Sequence, residues 1–235
     1  MNLAIFDIDG TLARTVSVDE ECYLQAFADE FGIEGINTDW GSYPSYTDSG
    51  MADHIFQEKT GESLPTELHQ RLIDRFIFLL SRRRHDNPEQ FAEVPGAART
   101  LALLREEPNW KIALSTGCWL ESARFKLQAA GIDISGIPLA TADDSMVRTR
   151  IFRMALKRAR QFYGIKHFER VVYVGDGTWD AILCRELNHP FVAIADGNSR
   201  ERLRREGART FLADYREYDL FLQALEEASV PEAKG

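Results

Sequence analysis

Cysteine is scarce: Cys22, Cys118 and Cys184 are the only three in 235 residues, far apart and odd in number. Neither a disulfide framework nor a zinc-ligand spacing follows from them. The five histidines, His54, His69, His85, His167 and His189, show no metal-ligand spacing either and read as surface or packing residues. No apolar run reaches the roughly 20 residues that a bilayer requires, and no secretory leader is recognisable. A reducing cytoplasm is therefore the expected setting, with no membrane partner. Positive charge is in deficit, since 28 basic against 37 acidic residues leave −9, so no nucleic-acid partner is expected. Repeats and low-complexity stretches are absent. What remains is a chain 44 % hydrophobic, enough for one large domain or a domain with an insert.

The most informative stretch is Ile5-Phe6-Asp7-Ile8-Asp9-Gly10-Thr11-Leu12. The apolar run Leu3 to Phe6 reads as a strand, and Asp7 then sits at its carboxyl end, where open α/β sheets place ligands. Asp7 and Asp9 would share a side if the chain stayed extended, and Gly10 permits a sharp turn just beyond. Two carboxylates in one small volume repel, and the usual remedies are a hard cation or a raised pKa on one of them, a reason to expect Mg²⁺.

From about Thr15 to Gln90 the pattern is helical and reads as an insertion of four helices. Asp19 to Phe31 carries Tyr23, Phe27 and Phe31 at four-residue spacing, with Gly32 as a stop. Gly41 to Gly50 has a loop signature, Met51 to Lys59 is a short helix, and Pro65 to Arg84 a long one. After Val94-Pro95-Gly96 come strands at Trp110–Ser115, Ile137–Ala142, Val171–Val174, Phe191–Ile194 and Thr210–Leu212. Helices are expected over Ala97–Glu106, Leu120–Ala130, Arg150–Tyr163, onward from Asp180 to Leu187, and over Tyr215–Ala228. Such alternation implies an α/β fold with a doubly wound, mostly parallel sheet. The expected division is a Rossmann-like core, 1–14 and 93–235, and a helical cap, 15–92. Hinges would lie near Thr15 and Val94.

Asp7-x-Asp9-Gly10-Thr11 resembles the signature of the haloacid dehalogenase-like hydrolases, a superfamily of aspartate-nucleophile phosphatases. Leu114-Ser115-Thr116-Gly117 resembles its second motif, a hydroxyl and open amides suited to phosphate oxygens. Gly175-Asp176-Gly177-x-x-Asp180 resembles the acidic fourth motif. The family's usual Lys-Pro pair is missing; Arg148, at a helix N-terminus after the third strand, is the best-placed cation, Arg150 is its competitor, and either also reads as a solvated helix residue.

The resemblance implies the roles. Mg²⁺ would be held by Asp7, the backbone carbonyl of Asp9 and Asp176, with Asp180 assisting through water or by orienting the cation. Asp7 would be the nucleophile, Asp9 the acid and base, and Arg148 the counter-charge. Thr11, Ser115, Thr116 and Gly117 would bind the phosphoryl group. The likeness is strongest to the phosphoglycolate phosphatase and sugar-phosphatase group, so a small phosphorylated metabolite is the expected partner, handled by a monomer or homodimer. Tyr46-Thr47-Asp48 faintly resembles that group's substrate loop but also reads as an ordinary polar loop. Trp119 reads equally as an entrance residue or as packing. Three alternatives stay open or are disfavoured on stated grounds. A β-phosphoglucomutase-like transferase would keep the same four pieces, and so would a non-enzymatic phosphate-binding or interaction module. A true dehalogenase is disfavoured by the presence of Asp9 and Asp176.

Overall fold

The computed structural model describes residues 1–232. Six strands form one sheet: β1 (Asn2–Phe6), β2 (Trp110–Ser115), β3 (Leu139–Ala140), β4 (Val171–Gly175), β5 (Phe191–Ile194) and β6 (Thr210–Leu212). Their order is β3-β2-β1-β4-β5-β6, and every neighbouring pair is parallel. This is the doubly wound order, with its reversal point at β1, where the crevice at the strand ends takes ligands.

Both faces of the sheet are covered, so the strands are apolar on both sides rather than alternating with polar residues. On one face Ala4 and Phe6 pack with Leu101 and Leu104 of α4 (Ala97–Glu106), Leu127 of α5 (Leu120–Ala129) and Phe221 of α9 (Tyr218–Glu227). On the other, Leu3 and Ile5 pack with Phe152 of α6 (Arg148–Tyr163), Leu183 of α7 (Thr178–Leu187) and Leu203 of α8 (Gly197–Arg205). α8 was not foreseen. Its sequence, Gly-Asn-Ser-Arg-Glu-Arg-Leu-Arg-Arg, buries Leu203 alone, so it carries almost no apolar periodicity to read.

The segment between β1 and α4 has its own core, built on Tyr23, Phe27, Phe76 and Leu80. It contains three α-helices, α1 (Val16–Phe31), α2 (Asp48–Thr60) and α3 (Thr66–Asp86), not four. The rest is two single 3₁₀ turns, Trp40–Ser42 and Pro88–Phe91. α2 starts at Asp48, inside the stretch expected to be loop, because the Thr47 hydroxyl accepts the amide of Gly50 at 3.1 Å and caps it. The Ile137–Ala142 strand shrinks to the two-residue ladder of β3. No helix among the described residues is long and apolar enough to cross a membrane.

Candidate active site

The carboxyl ends of three adjacent strands converge. β1 delivers Asp7, whose amide donates to the carbonyl of Val174 at 3.0 Å and so continues the ladder one step past the strand. β4 delivers Asp176, and the first turn of α7 delivers Asp180. One carboxylate oxygen from each of Asp7, Asp176 and Asp180 falls within 4.8 Å of the others. Gly10 makes the approach possible: its φ is +71°, and a Cβ there would lie 2.0 Å from Oδ2 of Asp176. Asp7 is 3 % exposed, and its Oδ1 is buried with no hydrogen-bond partner. Asp176 accepts the Thr11 hydroxyl at Oδ1 over 3.2 Å, the sole bond to its carboxylate among the described residues. Burial, together with Asp180, Asp7 and Asp9, pushes the Asp176 carboxyl well above its ordinary range. Crowded, desolvated carboxylates with open oxygens are the donor set of a hard divalent cation.

Arg148, the first residue of α6, closes the group from above. Its guanidinium meets Oδ2 of Asp7 at 3.3 Å and Oδ1 of Asp180 at 2.6 Å. Nε donates to the carbonyl of Tyr46 at 3.0 Å, and the Trp179 ring lies 5.7 Å from the guanidinium carbon. Burial works against its charge, but Asp7 and Asp180 hold it more firmly protonated than a free arginine. Asp180 spends its other oxygen on the Gly177 amide at 3.0 Å, so its carboxylate is committed to Arg148 and the backbone. Burial outweighs Arg148 and pushes its pKa up to about 7. Gly117 is needed here too, since a Cβ would meet the Tyr46 carbonyl at 2.7 Å and Arg148 at 2.9 Å.

Asp9 points the other way. Its Oδ2 accepts the ammonium of Lys126 at 2.6 Å and the Cys118 thiol at 2.7 Å, and its Oδ1 accepts the Thr15 hydroxyl. Lys126, from α5, is fully buried and also reaches Oδ1 of Asp19, on α1, at 2.5 Å. Burial raises the Asp9 carboxyl, but Lys126 and the two other donors outweigh it and leave Asp9 below its ordinary range. Above these groups lies a cavity of about 120 Å³, walled on the core side by Asp7, Thr116, Gly117 and Arg148. Val16, Glu20, Trp40 and Met51 close it from the helical segment. The stretch around Asp48 is docked on the core: the Asp48 amide donates to the carbonyl of Gly117 at 2.8 Å, and Asp48 Oδ2 accepts the Trp119 amide at 3.0 Å.

A family model described as haloacid dehalogenase-like hydrolase matches residues 1–188. The chain belongs to that family. Among solved structures, this haloacid dehalogenase-like hydrolase is similar to a hydrolase from Pseudomonas syringae at 25 % identity, covering 97 % of this chain and 100 % of that one, with a TM-score of 0.73. It also shares its fold with a β-phosphoglucomutase from Clostridium difficile (17 % identity, 96 % and 97 % covered, TM-score 0.69). A predicted phosphoglycolate phosphatase from Haemophilus somnus has the same fold (16 %, 94 % and 96 %, TM-score 0.63). A sequence comparison with curated proteins found no match.

Of the hydrolase's expected site residues, Asp7, Asp9, Thr116, Gly117, Arg148 and Asp176 line the cavity. Asp180 lies beneath it, fully buried. Thr11 and Ser115 do not line it: the Thr11 hydroxyl serves Asp176, and Ser115 offers its carbonyl to the Tyr173 hydroxyl at 2.8 Å. The Asp9 carboxylate stands outside the Asp7, Asp176 and Asp180 group. Arg150, the competitor of Arg148, is exposed. Trp119 is a packing residue, 1 % exposed and stacked on Tyr23 at 5.7 Å, with its indole N–H on the Ser49 hydroxyl at 2.8 Å. Sequence reasoning missed Lys126 and Cys118. The one available signal was a lysine on the inner face of α5, between Ala123 and Leu127, where an unpaired charge is not tolerated.

Proposed function

We propose that the chain is a Mg²⁺-dependent phosphomonoesterase that hydrolyses a small phosphorylated metabolite through an aspartyl-phosphate on Asp7. The observation that carries the reading is Asp7 itself, a buried carboxylate on the cavity wall with one oxygen on Arg148 and the other buried without a hydrogen-bond partner. Residues 15–92 would act as the cap that shields the reaction from bulk water. The free oxygens of Asp7 and Asp176 fit a hard divalent ion, with the Asp9 carbonyl as a third donor. Bound there, Mg²⁺ would neutralise charge on the phosphoryl oxygens.

Asp7 attacks phosphorus in line, and the bond from phosphorus to the ester oxygen breaks. That oxygen takes a proton from Asp9. Water then attacks phosphorus and gives its proton to Asp9, the bond to Asp7 breaks, and phosphate leaves. Arg148 holds Asp7 and faces the phosphoryl charge, and the Gly117 amide suits its oxygens, whereas the Thr116 amide is committed to the carbonyl of Ala140 at 3.1 Å. Clamped by Lys126, Cys118 and Thr15, the Asp9 carboxylate suits the base step. The acid step needs Asp9 to turn from Lys126 toward the ester oxygen. The free cysteines suit a reducing, cytoplasmic setting.

The test is phosphate release from a panel of phosphomonoesters with Mg²⁺ or EDTA, for the wild type and Asp7→Asn. Metal-dependent release lost in Asp7→Asn is expected. Release that survives the substitution would overturn the nucleophile. Isomerisation of a phosphosugar without free phosphate would replace hydrolysis by the mutase reading.

A further inference from the structure

The cavity over Asp7 has one cationic residue, Arg148, and that guanidinium is already placed against Asp7 and Asp180. Every other charge on its wall is negative, and three of these acids, Asp19, Glu20 and Asp48, belong to the proposed cap. Each keeps one carboxylate oxygen that accepts no hydrogen bond among the described residues, Asp48 using only Oδ2 for the Trp119 amide. Glu20 uses Oε2 for the Trp40 indole N–H at 2.7 Å, and Asp19 uses Oδ1 for Lys126, while Oε1 and Oδ2 accept no hydrogen bond among the described residues. The indole of Trp40 and the phenol of Tyr46 flank the same space. Asp7, nine-tenths buried with Oδ1 unpartnered, marks the cavity as a ligand site independently of those acids.

Chemistry sorts the leaving groups. A carboxylate or second phosphate on the alcohol would meet Asp19, Glu20 and Asp48, ring faces and the apolar Val16 and Met51 on this wall, whereas Arg14 and Arg202 line an adjoining cavity that shares Glu20 and Trp40 with it. Like charges so close are repelled, and an anion finds no attraction at a ring face. An ammonium finds both carboxylate oxygens and aromatic faces, the combination that recognises organic cations. Size narrows the class further. A cavity of ~150 Å³ holds one benzene, so about 120 Å³ must take the phosphoryl group and only a short chain.

We infer that this site selects phosphate esters of small amino alcohols, the amine lying between Glu20, Asp19 and Trp40, and that it discriminates against anionic esters such as phosphoglycolate. The inference rests on the phosphatase reading. Its test compares phosphoethanolamine, propyl phosphate and phosphoglycolate as cationic, neutral and anionic esters of similar size. Wild-type kcat/KM is measured with Mg²⁺, and binding to Asp7→Asn is measured by calorimetry in the same buffer. The expected order is amine, neutral, anion, with about tenfold between first and second. Glu20→Gln and, separately, Trp40→Leu should each shrink the amine-to-propyl ratio several-fold, mainly through KM. Phosphoglycolate turned over as well as phosphoethanolamine would overturn the substrate class and leave the phosphatase standing. Preferential binding of phosphoethanolamine to Asp7→Asn without turnover by the wild type would do the reverse. Equal treatment of all three esters in both readouts, or ratios unmoved by both variants, would also refute the class.

Discussion

Replacing Lys126 by Met tests whether the buried ammonium is the joint between the helical segment and the core. Met keeps most of the apolar stem and removes only the charge, so packing is nearly conserved. What it leaves is two carboxylates, Asp9 and Asp19, with side chains 18 % and 19 % exposed and no cation between them. Breaking a buried ion pair from one side costs about 3–5 kcal/mol, because the remaining charge stays desolvated. For a chain of this length, roughly 2 °C of melting temperature is lost per kcal/mol. A fall of about 6–10 °C in a thermal melt followed by circular dichroism is therefore expected. Adding Asp19→Asn removes one orphaned charge and should recover part of the loss. Arg204→Ala supplies the contrast: its partner Glu201 and Arg204 itself are both more than half exposed, and screening by water leaves such a pair almost without effect. A Lys126→Met melt within about 2 °C of wild type would refute the reasoning. So would a double variant less stable than the single one.

Arg148→Lys should cut kcat at least ~100-fold despite its retained charge, since a point ammonium cannot serve Asp7, Asp180 and the Tyr46 carbonyl together. Steady-state kinetics with a near-normal melting temperature is the check. Mg²⁺ should raise the melting temperature of the wild type and raise it less in Asp176→Asn, because the ion relieves crowded carboxylates in the folded state alone. Gly10→Ala should fold poorly or lose activity, as its Cβ would overlap Asp176 in a backbone conformation alanine disfavours. Asp19 supplies a pH test: burial outweighs Lys126 and lifts its pKa from 3.8 to about 6. The folded state then binds the proton more tightly than the unfolded chain between those values, so this group's contribution to stability falls as pH rises from about 4 to about 6. Chemical denaturation of wild type and Asp19→Asn across that range should show a relative loss on the order of 3 kcal/mol in the wild type.

How far the sequence could be read depends on how local the determining physics is. β1, β2 and β4 were legible because parallel strands buried on both faces leave continuous apolar runs, and Asp7, Thr116 and Asp176 follow directly as the residues just past them. The choice of Arg148 over Arg150 was not local. It depends on how the Val147–Arg148 corner meets the Tyr46 carbonyl, a contact between residues about a hundred apart in sequence. Lys126 was out of reach for the same reason: its partners come from the β1 turn, α1 and the turn before α5, and no spacing rule joins them. Thr11 shows the complementary case. Its neighbourhood in sequence suggests a phosphate contact, yet the tight turn at Gly10 directs the hydroxyl to Asp176. The motif thus specifies which chemical groups reach the strand ends, whereas their division of labour is set by the long-range contacts that burial forces on each charge. Asp9 is the instructive case. A carboxylate two residues from the proposed nucleophile reads as an acid and base on motif grounds, but in the fold its two oxygens are taken by an ammonium, a thiol and a hydroxyl. In the proposed mechanism any proton it gives to a leaving group must be preceded by release of those donors, so the rate of that release would enter the chemistry of the site.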